Sequence, residues 1–207
     1  MVLLWAGVFL IVLGAACLPF DRRAAHALYD YGSKRFVDFL EATTHLAKAA
    51  HWLVVAAVVL ALTQIALAYG LAWTALRAAA QYALAFIACL GVGSAILHGM
   101  KLVVGRRRPR DDMEMGLFGF VWFQFKLDFN SFPSGHSLTI FCVATIASCI
   151  APHLAVLWFA VALWLSLTRA LLTAHFLSDV FIGGGIGLVA ARETLLYLFP
   201  ALIPAWF

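Results

Sequence analysis

Three clusters of polar residues stand at the ends of long apolar runs: Lys101 with Arg108 and Pro109, the tetrad Pro133, Ser134, Gly135 and His136, and Arg169 with His175 and Asp179. Their types suit transfer of a phosphoryl group. Lys101 and Arg108 are seven positions apart, so on a continuing helix both could point into one cavity and hold a phosphate dianion, the guanidinium as a fork and the ammonium as a point charge. Ser134 and Gly135 stand where a loop becomes a helix. Free backbone N–H groups and the positive end of the helix dipole there favour an anion, and Gly135 permits close backbone approach. His136, in the first turn, can give a proton to a departing oxygen as general acid. His175 and Asp179 are four apart and share a face on a helix, so the carboxylate can accept from one imidazole nitrogen while the other attacks phosphorus. Arg169 completes the cations around the transferring oxygens, where positioning and electrostatics carry most of the catalysis.

The elements that must hold these residues are membrane helices. Hydrophobic residues make up 65% of the 207 positions and charged residues 12%, with mean hydropathy +0.98, more apolar surface than a water-soluble domain of this length could hide. Apolar segments run over 2–19, 50–69, 72–100, 136–151, 153–172 and 180–199, long and without alternating polarity, so each reads as a helical crossing, for which about 20 residues are needed. The expected fold is therefore all-α and polytopic. Six transmembrane helices form one bundle, and residues 1–207 form one domain. Met1 to Phe20 lacks the basic start and cleavage site of a signal peptide and is expected to remain as a span. Between the first two spans, Asp21 to Lys48 mixes basic residues with Leu28, Tyr29, Phe36, Phe39 and Leu40, the pattern of an amphipathic interfacial helix. Pro152 marks a tight turn between the fourth and fifth spans. With six crossings, segments three and five exit on the face where segments four and six enter, which gathers all three clusters on one side. Charged groups at span ends are costly unless they face a polar cavity and find partners there.

Other residues invite plainer readings. Cys17, Cys89, Cys142 and Cys149 lie inside apolar runs and serve packing. Gly91, Gly93, Gly183, Gly184, Gly185 and Gly187 indicate close helix packing. Arg106, Arg107 and Arg110 either attract anionic headgroups or form a solvated cluster, and Asp111, Asp112 and Glu114 offset neighbouring arginines rather than bind metal. His26, His45, His51, His98 and His153 are interfacial or packing residues. Phe118, Phe120, Trp122, Phe123 and Phe125 suggest an interfacial aromatic belt. The net charge of +4 comes without any soluble module to present it to nucleic acid, so anionic lipid or phosphate is the expected partner.

Over residues 101–179 the clusters resemble the three-part signature of the type 2 phosphatidic acid phosphatase (PAP2) superfamily, which also includes bacterial acid phosphatases and vanadium haloperoxidases. The resemblance implies that His175 is the nucleophile, Asp179 its orienting partner and His136 the general acid. It also implies that Lys101, Arg108, Ser134, Gly135 and Arg169 hold the phosphate. No cofactor or metal is implied. Two departures stand out: Thr168 replaces the usual Ser before Arg169, and Ala170 to Ala174 lacks the usual Gly, so the helix is expected to run further. The implied activity is hydrolysis of a phosphomonoester or diphosphate on a membrane lipid through a phosphohistidine. Candidate substrates are undecaprenyl diphosphate, phosphatidylglycerophosphate, phosphatidate and the phosphate of lipid A. A lipid-to-lipid phosphotransferase is the rival within the family, and a transporter or channel the rival of another class. Counting Lys and Arg would turn the site toward the cytoplasm. The resemblance implies the periplasmic face of a bacterial inner membrane with both termini cytoplasmic, and is preferred because Lys101, Arg108 and Arg169 are required by the chemistry.

Overall fold

A computed structural model describes residues 1–29, 33–71, 73–123 and 129–207. Helix α1 (Val2–Cys17) runs through a 3-10 turn at Leu18–Phe20 into α2 (Asp21–Tyr29). Helix α3 (Lys34–Thr44) starts at Ser33, whose hydroxyl accepts from the Phe36 N–H at 3.4 Å. It buries Leu40 and Thr44 and exposes Phe36 and Phe39. The segment expected as one interfacial helix is thus two helices, α2 and α3; residues 30–32 lie outside the described residues, as does Phe125 of the aromatic loop.

The other large helices are α4 (Ala49–Ala68), α5 (Thr74–Val103), α7 (Gly135–Ile150), α8 (Ala155–Leu171) and α9 (Leu177–Leu198). Among the described residues five helical runs, the α1–α2 run with α4, α5, Pro152–Leu171 and α9, are long and apolar enough to cross a membrane, whereas α7 is a shorter apolar helix of 16 residues. Their outward faces carry exposed Val54, Leu62, Ile65, Val156 and Leu157, side chains that lipid accepts and water does not. Pro152 opens the 3-10 turn that joins α7 to α8.

Helix α9 sits at the centre and packs against α1, α5, α7 and α8. Glycines let the neighbouring backbones touch it. A Cβ at Gly183 would lie 2.4 Å from the Ser134 carbonyl oxygen on α7's leading edge, and one at Gly185 would lie 2.7 Å from the Gly7 carbonyl of α1. In lipid, where apolar burial between helices gains little, such close van der Waals contact is a main source of association.

Helix α5 stops at Val103, where β-branched Val103 and Val104 favour extended chain and Gly105 disfavours continuing the helix. Val104–Arg106 (β1) then pairs antiparallel with Phe120–Trp122 (β2), Arg106 opposite Phe120. This ribbon is the one departure from helix among the described elements. It also corrects the expectation that Lys101 and Arg108 share a continuing helix, since the chain turns between them. Helix α6 (Pro109–Met115) follows, with Pro109 at its first position and Gly116 at φ 68° closing it.

Candidate active site

A cavity of about 710 Å³ opens between the ends of α4, α5, α7 and α8, and its walls include Lys101, Arg108, Gly135, His136, Arg169 and His175. Three different elements supply the cations Lys101, Arg108 and Arg169, and Lys48 also lines the wall. The Asn130 side-chain oxygen accepts from Arg108 Nη2 at 2.9 Å and Nε at 3.3 Å, while the Asn130 carbonyl accepts from Lys101 Nζ. One residue therefore aims both cations, which is why they converge without a shared helix. Arg169 Nη1 donates to the Thr44 hydroxyl at 3.2 Å. His136 Nε2 and Arg169 Nε are buried and have no hydrogen-bonding partner among the described residues, so polar capacity remains for an anionic ligand.

Ser134 and Asp179, the other two expected residues, lie fully buried behind this wall. The Ser134 hydroxyl caps α7 through the Ser137 N–H at 3.5 Å, and the Ser134 N–H donates to the Asp179 carbonyl at 3.0 Å. Ser134 thus braces the helix start that presents Gly135 and His136, and does not itself line the cavity.

His175 lies in the turn between α8 and α9, not on a helix with Asp179 as the spacing suggested. The α8 helix ends at Leu171, and the N–H groups of Ala174 and His175 both donate to the Arg169 carbonyl at 3.1 Å. With no glycine available, Thr173 takes the left-handed conformation at φ 50°, a costly one for a β-branched residue. This turn brings His175 back beside Arg169.

The imidazole partner also differs from expectation. His175 Nδ1 lies 2.7 Å from the Ser131 carbonyl, whereas Asp179 Oδ2 is 3.7 Å away, beyond hydrogen-bonding distance. A carbonyl only accepts, so Nδ1 carries the hydrogen and Nε2 of the neutral ring has the free lone pair. Burial pushes the His175 pKa below the ordinary imidazole value, with nearby Asp179 opposing. Asp179 reaches the ring through Ser131, whose hydroxyl donates to Oδ2 at 2.6 Å. The same carboxylate accepts from the Phe176 N–H at 2.9 Å and from Arg106 Nη1 at 2.6 Å.

Arg106 is neither a solvated charge nor a headgroup anchor. It is fully buried, paired with Asp179 and with Asp21 at 2.8 Å, its guanidinium 4.0 Å from the Phe176 ring centre and 4.5 Å from that of Phe120. Phe118 packs edge-on against Phe176 at 5.5 Å, so part of the expected aromatic belt supports the site while Trp122 and Phe123 remain exposed. Asp112 is held by Arg22 at 2.9 Å and His26 at 3.0 Å. Burial would raise its carboxyl pKa, yet these partners keep it below the ordinary carboxylate value. Among the described residues no three His, Cys, Asp or Glu gather as a metal site. Sequence reading missed Ser131, Asn130, Asp21 and Arg106. The one signal for Arg106 was the two-residue spacing of Phe118, Phe120 and Trp122, a strand pattern that puts an aromatic opposite it.

Residues 78–202 match the PAP2 superfamily. This chain belongs to that superfamily. The PAP2 chain is 38% identical over 88 residues to proteins named lipid A 1-phosphatase from Rhizobium etli and Rhizobium johnstonii, a stretch covering 42% of this chain. That stretch covers 38% and 36% of those proteins, so the chain spans well under half the length of the curated relatives it matches. Among solved structures, Aquifex aeolicus LpxE superposes with TM-score 0.60 at 18% identity, covering 86% of this chain and 96% of that one. The first transmembrane PAP2-type phosphatidylglycerolphosphate phosphatase from Bacillus subtilis superposes with TM-score 0.63 at 18% identity, covering 99% and 98%. These likenesses establish the shared fold. The PAP2 chain is an integral membrane protein.

Proposed function

We propose that this PAP2 protein is a metal-independent lipid phosphatase working through a phosphohistidine on His175. The observation that carries the reading is the meeting, at one cavity, of a buried imidazole with a free Nε2, a second imidazole whose Nε2 has no partner among the described residues, and the cations Lys101, Arg108 and Arg169. His175 Nε2 attacks phosphorus, and Lys101, Arg108, Arg169 and the Gly135 N–H hold the equatorial oxygens. As the bond to the lipid oxygen breaks, His136 gives that oxygen its proton. Water, activated by the now neutral His136, then attacks the phosphohistidine and releases phosphate. Asp179 acts on the nucleophile through Ser131.

A lipid substrate is supported by an apolar groove of about 480 Å³ along three of the four helices that bound the cavity, α4, α5 and α7, lined by Trp52, Val59, Phe86 and Val143. Of the candidates, the names of the Rhizobium relatives favour a phosphate of lipid A over undecaprenyl diphosphate, phosphatidylglycerophosphate and phosphatidate. The proposed setting is the bacterial inner membrane with the site on the periplasmic face.

The test is purified protein in detergent micelles given each of these lipids. Phosphate release that persists in chelator, with an acid-labile, alkali-stable label lost in His175→Ala, is the expected result. Activity lost in chelator and restored by a divalent ion would remove the metal-free mechanism. Label passing to a second lipid without free phosphate would make the protein a transferase, and ion flux surviving in an inactive His175→Ala protein would favour a transporter.

A further inference from the structure

We propose that Asp21 and Arg106 are positioning residues for the reaction, forming a charge clamp that ties the start of α2 to the seat of His175; this rests on the phosphatase reading above. Asp21 lies far from the three motif clusters in sequence, yet it is buried against the first turn of α9. Its Oδ1 accepts from the Ser178 N–H at 3.1 Å, and its Oδ2 accepts from the Ser178 hydroxyl and from Arg106 Nη2 at 2.8 Å. The other arm of the same guanidinium reaches Asp179 at 2.6 Å and the Ser178 hydroxyl at 2.7 Å. The three charged side chains are 0% exposed.

Two carboxylates at one helix start suit its dipole but repel each other, and the fork of Arg106 makes them compatible. Burying three charges is expensive, and replacing such a set by apolar residues often stabilises a protein, so stability alone is a poor reason for it. Position is a better one. Arg106 fixes Asp179 through its side chain, and the Arg106 carbonyl accepts from the Ser131 N–H at 3.1 Å. Ser131 in turn holds the ring of His175. Both ends of the seat therefore depend on where Arg106 sits, and Asp21 is the anchor that holds its second arm. The Phe176 and Phe120 rings on the guanidinium leave it little room to shift.

The test compares Asp21→Asn and Arg106→Lys with wild type, using kcat per active site counted by trapped phosphohistidine, KM and thermal midpoint. Displacing the nucleophile by a fraction of an ångström is expected to lower kcat at least about tenfold while KM stays within about twofold. Lys keeps the charge but offers one nitrogen on a shorter reach where Arg106 uses two, one for each carboxylate, so it is expected to show the same split. Variants that melt earlier yet keep kcat per active site within about twofold overturn the clamp and leave a structural ion pair. Should neither variant fold, Ser178→Ala decides: it removes only the hydroxyl between the charges, and a kcat lowered about threefold supports the clamp while an unchanged kcat overturns it. A wild-type protein that releases no phosphate and traps no label ends the phosphatase reading and the clamp with it, whereas an active wild type with unaffected variants ends the clamp alone.

Discussion

The Nδ1 hydrogen of His175 ends on the carbonyl of Ser131 at 2.7 Å, and the hydroxyl of the same Ser131 continues to Asp179 at 2.6 Å. The acceptor that fixes the ring is therefore main chain, which mutation cannot remove, but its support is a side chain, which mutation can. Ser131→Ala is expected to lower kcat about tenfold with KM little changed, because the ring keeps its acceptor but loses the tether on that acceptor. Steady-state kinetics in micelles measures both; a kcat equal to wild type would place the hydroxyl outside the mechanism.

The role of His136 is separable from that of His175 by the leaving group. His136→Ala is expected to cost about 10²–10⁴-fold in kcat on a lipid phosphate, the range for general acid catalysis. With an aryl phosphate, whose phenolate leaves without a proton, most of that deficit should vanish. His175→Ala should be inactive on both. Equal losses of the His136 variant on the two substrates would assign it to binding.

Attack requires the neutral form of His175. Its pKa is lowered first by burial and further by Arg169 and Arg108, with Asp179 opposing. A lowered pKa keeps the ring neutral to more acid pH, so the acid limb of kcat/KM should fall below the ordinary imidazole value of about 6.5. Asp179→Asn removes the opposing charge and should move that limb lower still, besides reducing kcat. Comparing the two proteins on one substrate cancels the ionisation of the phosphate itself. A limb that moves upward in Asp179→Asn would assign it to another group.

Two glycines make opposite predictions. At Gly135 a Cβ would meet nothing within 4 Å, although the residue lines the cavity, so Gly135→Ala should leave the thermal midpoint unchanged and raise KM. At Gly183 a Cβ would sit 2.4 Å from the Ser134 carbonyl oxygen, and neither backbone can yield easily. Gly183→Ala should therefore destabilise by about 1–3 kcal/mol and push the start of α7, lowering activity as well. Thermal unfolding in detergent alongside phosphate release distinguishes the pair.

Thr173 offers a gain of stability. A β-branched residue held at φ 50° carries roughly 1–2 kcal/mol of strain, part of which glycine removes despite its greater freedom in the unfolded chain. Thr173→Gly is expected to raise the midpoint by about 2–4 °C, a gain near 1 kcal/mol for a chain of this size. An unchanged or lower midpoint would mean that the threonine side chain offsets its own strain.

Much of the architecture was legible because hydropathy is averaged over twenty residues at a time: the apolar helices lie close to the segments read from sequence, and Pro152 does open the turn between α7 and α8. Convergence of Lys101, Arg108, His136, Arg169 and His175 on one cavity was also legible, since the alternating direction of the spans brings their ends together. What escaped depends on a few residues. Val104 and Gly105 divert the chain into a ribbon, so periodicity could not say how Lys101 and Arg108 meet. Thr173 makes a turn that composition assigns to glycine. The acceptor for His175 is a main-chain carbonyl, and a backbone group carries no mark in a sequence. Asp21 and Arg106 pair across 85 positions of chain, and in a line of letters each reads as one more charge at a membrane edge.

The crossing of Gly7 with Gly185 bears on how the chain is made. Helix α1 leaves the ribosome well before α9, against whose backbone it packs. Until α9 follows, α1 stands in lipid with its small-residue face open, and the Asp21 carboxylate lacks the Ser178 N–H and hydroxyl that donate to it. Assembly of the catalytic seat is thus a late event, and a newly inserted protein cut short before α9 would be embedded in the bilayer yet chemically silent.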